Sequence, residues 1–247
     1  MPAIHCNHIE SVKWAERQPE RSNLIIGTDV WRIPVSSHTN LLNLLTQEEI
    51  ERSEVFYKSG DADRFITTRY ALRLILGNYL GVPPHEIQIR DGQNKKPVLV
   101  NHPHLHFNVA HSGEWILIGV SGAAVGVDLE KVNMDFPFDT ILEDNFSKEE
   151  IDFVQRADDP RVAFYKLWTR KEALVKATAT GLHAQLPLIT LVDGSTEIDQ
   201  QLLASSRGWN INSFAVADDY LGAISQDQQI HLTNFLELDP LVFLQAI

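Results

Sequence analysis

The sequence predicts an α+β fold in which two similar α/β subdomains are related by a pseudo-two-fold axis, with the active site in the cleft between them. Three repeated features predict it. A capping box, Thr46-Gln-Glu-Glu49, recurs as Ser147-Lys-Glu-Glu150, each ahead of a short helix. A long helix that opens at Asp61-Ala-Asp-Arg64 and closes near Gly81 recurs as one that opens at Asp158-Asp-Pro-Arg161 and closes near Gly181. An alternating run from Phe107 to Ser121, turned at Ser112-Gly113, recurs from Trp209 to Ser225, turned at Asp218-Asp219. Two copies are too few for a solenoid, so the repeat reads as a duplicated half. The small residues Ser121-Gly-Ala-Ala124 form the connector, which sets the subdomains at 1–121 and 125–247.

Residues 1–23 are polar with little periodicity and read as an irregular arm or a short helix. Asp29-Val-Trp-Arg-Ile-Pro-Val35 alternates as a strand does, and Pro34 suits an edge. The first capping box leads into a helix over 50–58. A longer helix over 62–80 stops at Gly81, with Pro83-Pro84 beyond it. Strands are predicted over 86–90, 97–100, 105–109 and 114–121, then an acidic strand over 125–130. The second capping box opens a helix over 151–155, and the second long helix and second hairpin follow. Between them and the acidic strand, residues 131–145 scatter Met134, Phe136, Phe138 and Ile141 among acids, enough to close a second core.

A chain of 247 residues can bury one large core or two small ones. Its 44% apolar and 22% charged residues are those of a globular protein. No run approaches the ~18 consecutive apolar residues of a membrane span. The start, Met1-Pro-Ala-Ile-His-Cys6, lacks the regions of a secretory leader, so the expectation is a cytoplasmic protein without membrane attachment. Cys6 is the single cysteine, which excludes an internal disulfide and a cysteine-rich zinc site. A net charge of −12 argues against general nucleic-acid binding, so any polyanionic ligand must be held by local basic residues.

Chemistry concentrates in two places. In the strand Val125-Gly-Val-Asp-Leu-Glu130, alternation puts Asp128 and Glu130 side by side on one face. Such a pair suits a solvated strand rim or a hard cation between the two charges. Gly126 permits a close backbone approach, which favours the cation. The second long helix contains Trp168-Thr-Arg-Lys-Glu-Ala-Leu-Val-Lys176, with Lys171, Glu172 and Val175 at helical spacing and Lys176 one turn beyond Glu172. Glu172 would be a third carboxylate, and the lysines would meet phosphate oxygens. His102, His104 and His106 would line one strand face and formally suffice for zinc, but Pro103 interrupts the strand pattern and a polar loop is the simpler reading.

Gly126-Val-Asp-Leu-Glu130 followed by Trp168-Thr-Arg-Lys-Glu-Ala-Leu-Val-Lys176 resembles the paired signature of the 4'-phosphopantetheinyl transferases, of the larger, monomeric surfactin-synthetase-activating type. Phe107-Asn-Val-Ala-His-Ser112 is similar to a further motif of that family, with Ala110 where Ser is usual, and Asn94-Lys-Lys-Pro97 to its Gly-Lys-Pro element, with Lys95 where Gly is usual. The resemblance implies the same duplicated fold. It also implies transfer of the phosphopantetheine arm of coenzyme A to a serine of an apo acyl or peptidyl carrier protein. Magnesium, or manganese in its place, would be held by Asp128, Glu130 and Glu172. Glu172 would be the general base and Lys171 would stabilise the pyrophosphate. Lys96, His111, Lys171, Lys176, Arg64 and Arg52 would bind coenzyme A, although Glu49 stands where a further lysine is often seen. The segment between the two signatures, with Met134, Phe136 and Phe138, would help dock the carrier. The internal duplication predicts a monomer, since one chain supplies both sides of the cleft. The same three carboxylates with water as nucleophile would instead make a hydrolase of nucleotide pyrophosphates, and a degenerate pocket a nucleotide-binding module.

Overall fold

The computed structural model describes residues 2–16, 27–37, 39–180, 185–203 and 205–239. The first half runs β1 (Ala3–Ile9), β2 (Ala15–Glu16), β3 (Thr28–Pro34), α1 (Gln47–Glu54), α2 (Ser59–Leu80), β4 (Ile89–Asp91), β5 (Pro97–Leu99), β6 (His106–Ser112) and β7 (Trp115–Ser121). The second runs β8 (Val125–Lys131), α3 (Asp139–Asn145), α4 (Lys148–Arg156), α5 (Pro160–Thr178), β9 (Gly194–Glu197), α6 (Gln200–Leu203), β10 (Trp209–Ala217), β11 (Tyr220–Asp227) and β12 (Thr233–Glu237).

Local chemistry starts the helices near where the sequence predicts, although α1 ends at Glu54, short of the expected end at Lys58. The Thr46 side chain accepts from Glu49 N at 3.3 Å while Glu49 Oε2 accepts from Thr46 N at 3.0 Å, and Ser147 and Glu150 repeat the exchange at 3.2 and 2.8 Å. Asp159 caps α5 through the Arg161 and Val162 amides, with Pro160 in the first turn. Gly81, at φ 68°, closes α2. Gly181, expected to close the second long helix, lies outside the described residues; α5 ends at Thr178, with Ala179 left-handed at φ 55°.

The duplication is visible in the sheets. In one, β3 pairs antiparallel with β7 and β7 with β6; in the other, β8 pairs antiparallel with β11 and β11 with β10. Each three-stranded unit follows the same chain order, and in each half a capping-box helix and a long helix lie between first strand and hairpin. The outer strands do not respect the halves. β1 pairs parallel with β10 in the second sheet, and β12 pairs parallel with β3 in the first. The connector at 121–124 falls between β7 and β8, while the two chain ends cross it.

That exchange corrects the reading of the first residues as an irregular arm. Ile4 and Cys6 are buried and His5 and Asn7 exposed, a period of two carried on polar residues that hides it from a hydropathy reading. The β12 end is tied by a partly buried network. Asp29 accepts from Asn234 Nδ2 at 2.7 Å and from the Tyr79 hydroxyl, while Arg32 donates to Glu237 Oε2 from Nε at 2.8 Å.

One core lies in the first half, where Tyr70, Leu72 and Ile75 of α2 pack on Trp31, Ile116 and Ile118. Phe164 and Leu167 of α5 anchor another, and Phe136 and Phe138 pack onto it, with Phe138 stacked 4.8 Å from Phe164. A third core joins the two sheets, with Val30, Ala110 and Leu117 of the first against Val127, Leu129 and Phe214 of the second. The two halves are thereby fixed to one another beneath β6 and β8, the two strands that carry His111 and Asp128.

Candidate active site

β8 and α5 cross at Gly126. A Cβ there would overlap the Ala173 carbonyl oxygen and the Ala177 nitrogen, so only glycine lets the strand lie this close to the helix. The close crossing sets Asp128 beside the last turns of α5. Lys176 Nζ donates to Asp128 Oδ1 at 2.6 Å, while Asp128 Oδ2 is buried without a hydrogen-bond partner. Burial raises Asp128 above the usual carboxylate range, and Lys176 opposes that rise. Glu130 is pushed up to about 7 by burial and by the Asp128 charge. Burial and Asp128 raise Glu172 as well. The three carboxylates therefore feel one another across a common space in which the Lys176 ammonium offsets only part of their effect.

Two β6 side chains hold β8 in place. Buried Asn108 Oδ1 accepts from Val127 N at 2.8 Å, bridging strands that share no ladder, and Ser112 Oγ donates to Glu130 Oε2 at 3.2 Å while accepting from Lys131 N at 3.0 Å. Neither residue stands out by chemistry alone. Their only sequence signal is membership of the Phe107–Ser112 motif.

The cleft continues into the first half. A cavity of about 400 Å³ is lined by Arg64, Phe56, Phe65, Arg69, Pro97 and His111. Arg64 Nη1 pairs with Asp61 at 3.0 Å and its Nε donates to the Gly113 carbonyl at 3.2 Å. Partial burial and Arg64 hold His111 below the usual imidazole range, and His111 in turn acts on Asp128, which joins this cavity to the carboxylates. Arg52 lines a neighbouring space of about 790 Å³ that shares Phe65, Arg69 and Pro97 with the first. There Glu49, at the position where a lysine is often seen, binds Arg73 at 2.8 Å and Arg69 at 3.7 Å, which neutralises much of that wall. On the opposite side, a groove of about 650 Å³ leads from Glu130 past Val132, Met134, Phe136, Ile141 and Trp168. Met134 is 67% exposed, whereas Phe136 and Phe138 are half-buried.

Two expected ligands are elsewhere. Lys171 is wholly buried on the far side of α5, where its ammonium meets Glu150 Oε2 at 2.9 Å and the Leu186 and Ile189 carbonyls at 2.8 and 2.6 Å. The expectation that it acts on the pyrophosphate is corrected. A charge taken out of water needs a full set of partners, and the protein supplies all of them. Lys96 directs its ammonium to the Val125 and Ala177 carbonyls, at 3.0 and 3.2 Å, instead of into the cavity lined by its neighbour Pro97. Among the described residues no group of three or more His, Cys, Asp or Glu side chains stands close enough together to hold a metal ion. His102, His104 and His106 form no such group, and the carboxylates form no ready-made cage, since Lys176 takes one oxygen of Asp128 and Ser112 one of Glu130.

The profile described as "4'-phosphopantetheinyl transferase superfamily" matches residues 124–225, and that described as "4'-phosphopantetheinyl transferase, N-terminal" matches residues 29–122. The chain is 36% identical over 148 residues to the putative 4'-phosphopantetheinyl transferase slr0495 of Synechocystis sp., an alignment covering 58% of this chain and 60% of that protein. It is 28% identical over 222 residues to the 4'-phosphopantetheinyl transferase HetI of Nostoc sp., covering 86% and 92% of the two chains. To the 4'-phosphopantetheinyl transferase Sfp of Bacillus subtilis it is 28% identical over 160 residues, covering 63% and 69%. The two matched segments fall one on each half of the duplicated fold, and the chain belongs to the 4'-phosphopantetheinyl transferase superfamily.

Proposed function

We propose that this chain transfers the 4'-phosphopantetheine arm of coenzyme A to a serine of an apo acyl or peptidyl carrier protein, giving the holo carrier and 3',5'-adenosine diphosphate. The observation that carries this reading is the buried, unbonded Oδ2 of Asp128, whose charge raises the pKa values of Glu130 and Glu172 and which is linked through His111 to a basic cavity and through Glu130 to an apolar groove. The activity named for the relatives supports it.

Magnesium, or manganese in its place, suits the carboxylate side of this site. The donors are all carboxylate oxygens, one of them bare and buried, and their raised pKa values mark a place where positive charge is wanted. Magnesium usually takes one or two protein carboxylates and completes its shell with water and phosphate oxygens, so a three-carboxylate cage is not required. Asp128 would hold it, with Glu130 and Glu172 as the other carboxylates in reach. Once bound, the ion would offset charge on the pyrophosphate and its leaving group.

The chain's own groups supply the remainder. Lys176 lies beside Asp128 and meets the pyrophosphate. His111 and Arg64 face the cavity that would take the nucleotide and its 3'-phosphate, and Arg52 borders the outer end. The carrier serine oxygen bonds to the phosphorus next to pantetheine, the bond from that phosphorus to the bridging oxygen breaks, and its electron pair leaves with 3',5'-adenosine diphosphate. Glu172, or a water it holds, takes the serine proton; its raised pKa makes it a stronger base than an ordinary carboxylate. The groove along Val132, Met134 and Trp168 opens beside Glu130 and suits an apolar carrier surface. Phe136 and Phe138 help build the second core, so Met134 is the residue whose replacement tests docking without unsettling the fold.

Both walls of the cleft come from one chain, which supports a monomer. Among the described residues no helix is long and apolar enough to cross a membrane, and a cytoplasmic location suits the substrates. Intact-mass measurement of several apo carrier proteins, incubated with this protein, coenzyme A and magnesium, tests the reading. The expected result is the gain of one phosphopantetheine arm, lost in Glu172→Gln. Consumption of coenzyme A with no carrier gaining mass would mean a hydrolase instead.

A further inference from the structure

Residues 93–96, between β4 and β5, belong to the first half, yet their polar groups end on the second. Asn94 Nδ2 donates to the Ala179 carbonyl at 2.7 Å, and Lys96 Nζ to those of Ala177 and Val125 at 3.2 and 3.0 Å. Ala177 and Ala179 belong to the carboxyl end of α5, where the last carbonyls lack helical partners and carry partial negative charge. Val125 opens β8. A single ammonium therefore joins the strand that carries Asp128 to the helix that carries Glu172 and Lys176, a few residues from the Gly126 crossing where the two touch. The joining group is costly to place: Lys96 is half-buried and, among the described residues, makes no ion pair. The loop is shaped for the task, since Asn94 and Lys95 both adopt left-handed backbone, at φ 49° and 60°.

We infer that Lys96 is a positioning residue: with Asn94 it caps α5 from the other half of the molecule and sets the distance between Asp128 on β8 and Glu172 and Lys176 on α5. It does not bind the phosphates of coenzyme A. The inference rests on the transferase reading for its kinetic consequence, but the capping contact itself can be measured without any activity. Displacement of reacting groups by about 1 Å can cost on the order of a hundredfold in rate, so a loosened α5 end is visible in turnover.

Hydrogen exchange by mass spectrometry and steady-state kinetics on the full chain, with Lys96→Met, Lys96→Arg and Asn94→Ala beside the wild type, test it. Lys96→Met should speed exchange in peptides covering 172–180 by about tenfold relative to β10 and β11. Its kcat should fall at least about tenfold while KM for coenzyme A stays within about threefold. Lys96→Arg, which keeps a donor for two carbonyls, should recover most of both. Asn94→Ala, which removes one contact and leaves the ammonium in place, should move both the same way by less. Unchanged exchange over 172–180 would overturn the inference. A raised KM for coenzyme A, together with loss of its preference over 3'-dephospho-coenzyme A, would overturn it in favour of a phosphate ligand. If the wild type modifies no carrier, the transferase reading fails, and the exchange data still decide the capping role.

Discussion

Lys171 and Lys176 both ride on α5 and each faces a carboxylate, yet the two pairs have different surroundings. Glu150 is saturated: Oε2 accepts from Ser147 N and meets Lys171, and Oε1 accepts from Leu191 N at 2.9 Å. Both side chains of that pair are fully buried. Asp128 is also buried, but only Oδ1 is bonded and Lys176 keeps 30% of its side chain exposed. One face of the helix is finished by the protein; the other is left one charge short. The difference between scaffold and chemistry on this helix lies in whether a carboxylate's second oxygen has a partner, since each face sets a lysine against a carboxylate.

The largest effect expected from that contrast is on catalysis. Asp128→Asn and Glu172→Gln should each lower transfer by on the order of a thousandfold, measured as the initial rate of carrier modification, with the unfolding midpoint held or raised because a poorly solvated charge is removed.

Next comes stability on the opposite face. Lys171→Met leaves Glu150 charged and unpaired in the interior, which should cost about 3–5 kcal/mol by urea unfolding. Adding Glu150→Leu should return much of that loss, since removing both charges of a buried pair is often nearly neutral.

A pH dependence follows from Glu130. Its pKa is raised from 4.5 to about 7 in the folded protein, so between those values the folded state holds a proton that the unfolded chain has released. The stability this contributes is full below the unfolded value and is lost as pH rises through about 7. In chelator, the melting temperature should therefore fall across that range, and Glu130→Gln should flatten the fall. Magnesium should raise the melting temperature more at about pH 8 than at about pH 6, because a proton competes for the same oxygens.

Smaller changes are expected at the edges of the cleft. Arg64→Ala and His111→Ala should each raise KM for coenzyme A by about tenfold, one charge-assisted contact apiece, and should matter less for 3'-dephospho-coenzyme A. Met134→Ser should raise KM for the carrier alone, by a few-fold.

Much of this was legible in the sequence because it is local. Capping boxes, a glycine stop and alternating strands are written in neighbouring residues, and the duplicated helices and hairpins followed from them. Asp128, Glu130 and Glu172 were found by strand alternation and helical spacing, and Gly126 by its need for a close approach. What escaped depends on distant partners. β1 pairs with β10 across most of the chain, and its two buried side chains are hidden between histidines and asparagine. Lys171 and Lys176 lie at spacings that leave either free to face the cleft, and only the position of Glu150, read from its own segment as a helix cap, settles which one does. The carbonyl partners of Lys96 are backbone groups, which carry no sequence signature.

The most direct test of the contrast between the two faces of α5 is a paired comparison of Lys171→Met and Lys176→Met, each assayed for unfolding free energy and for turnover per folded molecule. Lys176→Met should lose turnover at the smaller cost in stability, since its ammonium is part-exposed and water can reach the space it leaves, while Lys171→Met should lose more stability and keep the turnover of the fraction that remains folded. The reverse pattern, with turnover lost at Lys171 in a protein of undiminished stability, would contradict the division of the helix into a finished face and a reactive one.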